Sequence, residues 1–313
     1  MNGVVFGGFR RVCSVAVLVM TVPLTAVSGE TPHTGHDLAE LLCDEGWEIA
    51  AGTRVRLPAS ELASDGPLTA DLLEAFAGRR GWKRFADASR MAPIGVTIVP
   101  QENESQRVGH LVTTRFALHT PLDVLEDDEH VQRAVGLDAG ADGASFRQLT
   151  LEEPAAAGVV PAADGREQFG FLQVMLLNRI ELQGVVCVQR QQLQAGIVLA
   201  WAFDHRFDDV PQLRATSSRL EVNELGERVA GPAIPYEGAA GMVTARQLSA
   251  DESSALGDMT ATGPVVIVES ILVVAEPAAW FGGSNLLRAK IPLITQEGVR
   301  DLRRRLEAAE STR

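Results

Sequence analysis

The chain has 313 residues, of which 46% are hydrophobic, 22% are charged and 5% are aromatic. This composition is typical of one large globular domain or two smaller ones, and it excludes disordered and fibrous proteins. The acidic balance, a net charge of −13, and the single tyrosine exclude a nucleic-acid partner, because phosphate backbones are repelled and stacking side chains are scarce.

The first 29 residues resemble a secretory signal peptide. Arg10 and Arg11 precede the apolar run VCSVAVLVMTVPLTAV, and the small residues AVS before Gly29 resemble a cleavage site. The alternative is an uncleaved anchor helix, but the run contains Pro23 and is shorter than the roughly 20 residues that a span needs. We therefore predict an exported protein (periplasmic, cell-surface or extracellular) with no integral membrane span after cleavage. Removal of residues 1–29 changes the net charge to −15, because it removes two arginines and no acid.

The predicted mature chain retains two cysteines, Cys43 and Cys187. In an oxidising compartment the two thiols could form a disulfide. Cys187 also lies in the apolar run LQGVVCVQR, where a buried and unreactive thiol is an equally good interpretation. The sequence has no CxxC pair, so it indicates neither a zinc site nor a thioredoxin-type site.

Helical patterns dominate the first part of the predicted mature chain. A short helix is expected in TPHTGHDLAELLCDEGW, and a connecting loop follows it. The apolar spacing of PLTADLLEAFAGRRGWKRFADASR predicts one or two helices that break near GRRG. We therefore assign residues 30–67 to an N-terminal helix and linker, and residues 68–313 to a single α+β domain.

Strand patterns dominate the centre of the chain. The runs IGVTIVP and RVGHLVTTRFALHT are predicted strands, and a helix is expected to begin at Thr120 and to continue to about Gly136. Two loop-like inserts follow, at 136–143 and 154–167. Successive short β-branched runs separated by turns then predict an antiparallel sheet.

The C-terminal segment is predicted to be a long helix. Its apolar positions form one stripe, made of Leu287, Ile291, Ile294, Leu302 and Leu306. Gly282 and Gly283 are expected to form the preceding turn, Ser284 the N-cap, and Pro292 a kink or a division of the helix. In RDLRRRLEAAE, acids offset the basic residues at a spacing of four, which favours a solvated face that includes Arg303.

The last strand and the terminal helix carry a family resemblance. The segment VVIVESILVVAEPAAWFGGSNLLRAKIPLITQEGVRDLRRRLEA passes from an apolar strand, through a turn with Pro and Trp, into a helix. This pattern resembles the START-like, or helix-grip, superfamily of polyketide cyclase-like and Bet v 1-like proteins, over roughly residues 68–309. The resemblance implies a curved antiparallel sheet that grips the C-terminal helix. It also implies a lipid or other hydrophobic small molecule as the ligand.

Two polar side chains are predicted to point into the sheet. His110 is in phase with Val112 and Phe116, and a histidine in such a position is usually a hydrogen-bonded core residue. Glu269 interrupts the run VVIVESILVV and needs a partner in an apolar face. That partner is either the polar end of a ligand or an inward arginine such as Arg246. The alternative is an edge strand or a bulge that leaves the carboxylate in water.

The predicted ligand-binding residues are polar and aromatic side chains expected near one cavity under the terminal helix: Glu269, His110, Arg246, Trp201 and Trp280. We predict no catalytic residues and no cofactor, because the sequence has no G-x-S-x-G, HExxH, P-loop or G-x-G-x-x-G motif. One alternative is a structural or interaction protein of the cell envelope without a ligand. Another is a cavity-based enzyme, which requires His110 and Glu269 to share one pocket.

Two acidic segments are candidate metal sites. The run WAFDHRFDD places Asp204, His205 and Asp208 at a strand end, where oxygen and imidazole ligands could hold a divalent cation. An Asp-rich turn is the alternative interpretation. The run LEDDEH places Glu126 and His130 one helical turn apart, either as a metal or acid–base pair or as part of an exposed acidic helix face.

Overall fold

A computed structural model describes residues 37–126, 144–162, 166–224, 226–255, 263–277, 280–281 and 284–310. The predictions for the signal-like segment, for His130, for the insert at 136–143 and for the Gly282–Gly283 turn lie outside these residues.

An N-terminal segment of short helices and one hairpin precedes the main sheet. Its elements are α1 (Leu38–Asp44), β1 (Trp47–Ala50), β2 (Thr53–Val55), a 3₁₀ turn (Glu61–Ala63), α2 (Ala70–Ala77), a second 3₁₀ turn (Gly78–Arg80) and α3 (Trp82–Phe85). Asp37 and Thr69 cap α1 and α2 through side-chain bonds to backbone N–H groups. The predicted break near GRRG is confirmed, because α2 ends at Ala77 and its C-cap, Gly78, has a φ of 67°.

The main sheet has eleven strands in the described part of the chain, all paired antiparallel. They are β3 (Gly95–Asn103), β4 (Gln106–Leu118), β5 (Ala144–Gln148), β6 (Gln168–Leu176), β7 (Ile180–Gln192), β8 (Gly196–Phe203), β9 (Thr216–Val222), β10 (Arg228–Ala230), β11 (Ile234–Pro235), β12 (Ala239–Gln247) and β13 (Val266–Ala275). The order is β10-β9-β7-β8-β12-β13-β4-β3; β11 pairs with β9, and β6 pairs with β5 and β7. The predicted antiparallel α+β architecture is confirmed.

Short helices lie between the strands. They are α4 (Leu122–Glu126), α5 (Glu152–Ala156), a 3₁₀ turn (His205–Phe207) and α6 (Ala250–Ala255). Thr120 does not cap α4, because its buried hydroxyl has no hydrogen-bond partner. The central strands β8, β12 and β13 are buried on both faces along almost their whole length. Because both faces of these strands are shielded from water, their sequences are apolar at nearly every position.

One face of the sheet is covered by the N-terminal segment, and we call it the N-terminal face. On this face the guanidinium carbon of Arg115 lies 4.9 Å from the ring centroid of Phe76 in α2. On the same face, Cys43 Sγ in α1 lies 4.0 Å from Met242 Sδ. Side chains alternate along a strand, so the neighbouring positions of β4, β12 and β13 point to the opposite face.

The opposite face, which we call the helix-side face, packs against the terminal helix α7 (Leu286–Glu310). On β4 this face carries His110, Val112, Thr114, Phe116 and Leu118. Leu118 and Leu306 of α7 line the same narrow cleft. Of the predicted apolar stripe, Leu287, Leu302 and Leu306 are buried, Ile291 and Ile294 are half-buried, and Val299, which was not in the predicted stripe, is also buried. Pro292 does not divide the helix, and Asn285 rather than Ser284 directly precedes it.

Arg303 of α7 corrects the prediction of a solvated basic face. Its side chain is buried and donates to the backbone carbonyls of Ala117, Ala92 and Arg90. Burial and the neighbouring Arg300 lower the pKa of this guanidinium to about 10. The side chain therefore anchors α7 to the end of β4. None of the helices in the described ranges is both long and apolar enough to cross a membrane.

Cys43 and Cys187 are both free thiols. Cys187 is buried, and burial raises the pKa of its thiol well above the ordinary value, with the nearby carboxylates of Glu167 and Asp204 adding to the effect. This geometry favours the interpretation of Cys187 as an unreactive core residue.

Candidate functional site

A cluster of three polar side chains, of which His110 and Glu276 are buried and Arg107 is half-buried, lies between the end of the last strand and the start of the terminal helix. His110 Nε2 lies 2.5 Å from one carboxylate oxygen of Glu276, and the other oxygen accepts a bond of 3.1 Å from Arg107 Nη2. His110 is fully buried and Glu276 is 4% exposed. The contact between His110 and Glu276 is therefore shielded from water and correspondingly strong, whereas Arg107 is partly exposed to solvent.

Local sequence explains how these three residues meet. Arg107 and His110 lie near the start of β4, and the end of β13 pairs with this part of β4, with Val274 opposite His110. Glu276 directly follows β13, and its backbone N–H donates to the carbonyl of Val108. The end of the sheet thus places the carboxylate beside the histidine without any long-range loop.

Arg107 extends the cluster to the start of α7. Its Nη2 donates to the Ser284 carbonyl at 2.6 Å, and its Nη1 donates to the side chain of Asn285. One guanidinium therefore joins the buried carboxylate of Glu276 to the two residues that precede the helix. Because Arg donors have a fixed planar geometry, this contact sets the position of the helix start relative to the sheet.

Two polar atoms of β4 are buried on the helix-side face without a hydrogen-bond partner. They are Nδ1 of His110 and Oγ1 of Thr114. The two side chains lie on the same face on either side of Val112, and Ser270 pairs with Thr114 on the neighbouring strand. Buried polar atoms are nearly always hydrogen-bonded in native proteins, so two unpartnered atoms on one apolar face indicate a missing partner.

Aromatic side chains close the helix-side face at the same end of the sheet. Trp280 stacks on Tyr236 at 5.5 Å between ring centroids, and Tyr236 meets Phe203 edge to face. Trp280 Nε1 donates to the Ser217 hydroxyl at 3.3 Å. Trp201 is also buried on this face, two positions along β8 from Phe203. Of the predicted ligand-binding residues, the structure therefore brings His110, Trp201 and Trp280 to one face.

Glu269 lies on the N-terminal face, so the expectation that it sits beneath the terminal helix is wrong. It shares a face with Ile267 and Ile271, as predicted, but this face is covered by the N-terminal segment. Its carboxylate accepts a bond of 2.7 Å from Arg115 Nε, and the two residues are directly opposite in the register of β13 and β4. The partner is therefore Arg115 rather than Arg246 or a ligand.

Arg246 also lies on the N-terminal face and holds a loop. Its terminal nitrogens donate to the carbonyls of Ser64 and Gly66, and to the carboxylate of Glu252 at 3.1 Å. Burial alone would raise the pKa of Glu252, but hydrogen bonds from Leu68 and Ser249, together with the charge of Arg246, lower it overall. This pair fastens the linker before α2 to the sheet.

His110 and Glu269 therefore lie on opposite faces of the sheet and share no pocket. The separation removes the arrangement on which the cavity-based enzyme depended. Because the sheet itself lies between the two side chains, no reacting group could contact both at hydrogen-bond distance.

The segment after β8 forms a hydrogen-bonded turn. Asp204 caps the 3₁₀ turn and bonds to Arg206 Nη2 at 2.7 Å. His205 Nδ1 lies 2.9 Å from Asp208 Oδ2, and its Nε2 lies 3.0 Å from the carbonyl of Glu237. Within the described ranges no three His, Cys, Asp or Glu side chains cluster as metal ligands. The geometry favours the turn interpretation of Asp204, His205 and Asp208 over a cation site.

A surface groove of about 460 Å³ lies beside this turn. Trp47 of β1 and His205 stack there at 6.1 Å between ring centroids, and the carboxylates of Glu45, Glu48 and Glu237 border the groove. Sequence reasoning missed the groove because its residues come from three distant segments. It also missed the role of Arg107 and Glu276; a glutamate that directly follows a long apolar strand was the available signal.

Three solved structures align with about two thirds of this chain at low sequence identity. No protein-family model and no curated protein matches the sequence. Among solved structures, an uncharacterized protein from Rhizobium leguminosarum is 10% identical, with a TM-score of 0.31, over 69% of this chain and 99% of its own. The human StarD13 lipid transfer and protein localization domain is 9% identical, with a TM-score of 0.33, over 67% of this chain and 89% of its own. Human STARD10 is 10% identical, with a TM-score of 0.34, over 66% of this chain and 69% of its own.

Proposed function

We propose that this is an exported protein that binds a hydrophobic small molecule of the lipid class between the helix-side face and α7. The observation that carries the proposal is the pair of buried atoms without a partner, His110 Nδ1 and Thr114 Oγ1, on one apolar face. The proposal of export rests on the signal-like residues 1–29. It predicts that the N-terminal sequence of the protein recovered after export begins after these residues.

The cost of an unpartnered buried atom supports a bound molecule. Leaving a buried donor or acceptor without a partner costs about 1–3 kcal/mol. Buried atoms without a partner also occur in the N-terminal segment, for example Trp82 Nε1. His110 and Thr114 differ because they share one face and are separated by about 13 Å along the strand. A single extended molecule lying along β4 could reach both.

The remaining side chains of the helix-side face suit an apolar molecule. Large aliphatic and aromatic residues occupy this face on the central strands: Val266, Val268, Leu272, Val243, Leu199, Trp201 and Val188. Such a lining with few polar groups is typical of sites for hydrophobic ligands. An apolar lining also fits a fully packed core without a ligand. The experiment below therefore distinguishes a ligand site from a packed core.

The experiment combines extraction with a substitution that fills space. The purified mature protein is extracted with organic solvent, and the extract is analysed by mass spectrometry. Ala245→Leu adds volume on the helix-side face. If a ligand occupies that space, the variant folds with near-normal stability, and the amount of extracted lipid falls several-fold.

Ala117→Leu is the matched control, because Ala117 is equally buried but lies in the apolar cluster on the N-terminal face. It should lose about 1–3 kcal/mol of stability through overpacking and retain its lipid if it folds. An empty wild-type extract, together with equal destabilisation by the two substitutions, would show a dry core and overturn the proposal.

A further inference from the structure

The contacts of Glu276 fix which nitrogen of His110 carries a proton. Arg107 donates to one oxygen of Glu276, and a carboxylate held in this way only accepts hydrogen bonds. The second oxygen lies 2.5 Å from His110 Nε2. The proton of this bond must come from the ring, so Nε2 is the donor.

The second ring nitrogen is consequently an acceptor. In a neutral imidazole with a proton on Nε2, Nδ1 presents a lone pair. Arg107 and Glu276 balance each other in charge, and a neutral ring keeps the whole cluster uncharged. This suits the surroundings of His110, which are formed on its own face by Val112 and Val274.

We infer that the polar end of the ligand is an uncharged hydroxyl group that donates a hydrogen bond to His110 Nδ1; this inference rests on the proposed function. A hydroxyl supplies the donor that Nδ1 lacks. A carboxylate or a phosphate supplies only acceptor oxygens, and it would place a negative charge close to the carboxylate of Glu276. The ligand class is therefore a long-chain or polycyclic alcohol rather than a fatty acid or a phospholipid.

The body of such an alcohol would extend from His110 along β4. It would pass Val112 and approach Thr114, whose hydroxyl also lacks a partner. Thr114 can donate or accept, so it places no charge requirement on the ligand. The discrimination between an alcohol and an acid comes from His110.

The test compares a long-chain primary alcohol with the fatty acid of equal chain length, on mature protein freed of bound lipid. Binding is measured by calorimetry at about pH 8, where the free acid is ionised. The expected result is a preference for the alcohol of about tenfold or more in Kd. His110→Gln retains a donor toward Glu276 but lacks an acceptor at the position of Nδ1, and it should abolish the preference.

His110→Asn is the complementary variant, because it retains an acceptor near the position of Nδ1 and loses the donor toward Glu276. It should be less stable but keep the preference for the alcohol. If neither compound binds the wild-type protein although its extract contains lipid, the inference is overturned and the proposed function stands; an empty wild-type extract overturns the proposed function as well. If the acid binds as tightly as the alcohol, the inference alone is overturned. The wild-type comparison decides this even if a His110 variant does not fold.

Discussion

Two buried glutamates, Glu269 inside β13 and Glu276 directly after it, are only seven residues apart but lie in contrasting environments. Glu269 points to the N-terminal face and pairs with Arg115, and neither side chain retains a buried atom without a partner. Glu276 faces the helix side, where it bonds to His110 and Arg107 and leaves His110 Nδ1 without a partner. The contrast teaches that a buried charge alone does not indicate function; the atom left over after all pairs are formed is more informative.

The strongest effect on the N-terminal face is expected from Arg246→Met. This substitution leaves Glu252 buried without its cation and releases the carbonyls of Ser64 and Gly66. Breaking a buried pair in this way should cost about 3–5 kcal/mol in the free energy of unfolding, measured with urea. The control is Arg304→Met, which removes an exposed pair with Asp301 and should cost roughly 0–1 kcal/mol. Equal effects of the two substitutions would contradict the structural role of Arg246.

The same anchor should make stability depend on pH. The pKa of Glu252 is lowered in the folded protein, so its contribution is present above the ordinary value and is lost as the pH falls through the lowered one. The free energy of unfolding should therefore decrease on acidification below the ordinary range of a glutamate. Glu252→Gln should show a smaller decrease over that interval.

A smaller effect is expected from Glu269→Gln. The variant keeps the shape of the side chain but removes the charge that faces Arg115, which is 40% exposed. Solvent screening at the arginine limits the loss to about 1–2 kcal/mol in the free energy of unfolding. The amount of lipid extracted from the variant should not change, because Glu269 lies on the other side of the sheet. Loss of lipid from this variant without loss of stability would assign Glu269, rather than the helix-side cluster of Glu276, to the ligand site.

The smallest effect is expected in the reaction rate of the Cys43 thiol, which measures whether the N-terminal segment stays packed against the sheet. Burial raises the pKa of this thiol, and the charges of Asp44 and Asp37 add to the effect. Cys43 should therefore react slowly with a thiol reagent in the native protein, and the more deeply buried Cys187 should react only on unfolding. Cys187→Ser isolates the rate of Cys43. A rate equal to that of free cysteine would show that the segment opens readily.

Much of the fold follows from local sequence patterns. The alternation in β4, the apolar run of β13 and the stripe of α7 each predicted the correct element. Strands and helices repeat their inward-facing positions with different periods, and the apolar residues of the sequence follow those periods. For the same reason His110 was predicted to point inward, whereas the sequence left Glu269 either inward or exposed to water at an edge strand or a bulge. What these patterns could not supply is which layer covers each face, since covering layers come from distant parts of the chain.

The sequence by itself determined the antiparallel α+β class, the terminal helix and the positions that face inward, because these depend on residues a few places apart. Only the tertiary structure decided that Glu269 meets Arg115, that Arg246 holds a loop, and that Glu276 reaches His110. Each of these contacts joins segments far apart in the chain, and strand pairing brings them within hydrogen-bond distance. The unpartnered nitrogen of His110 exists only as a result of that pairing, which is why it was not visible in the sequence.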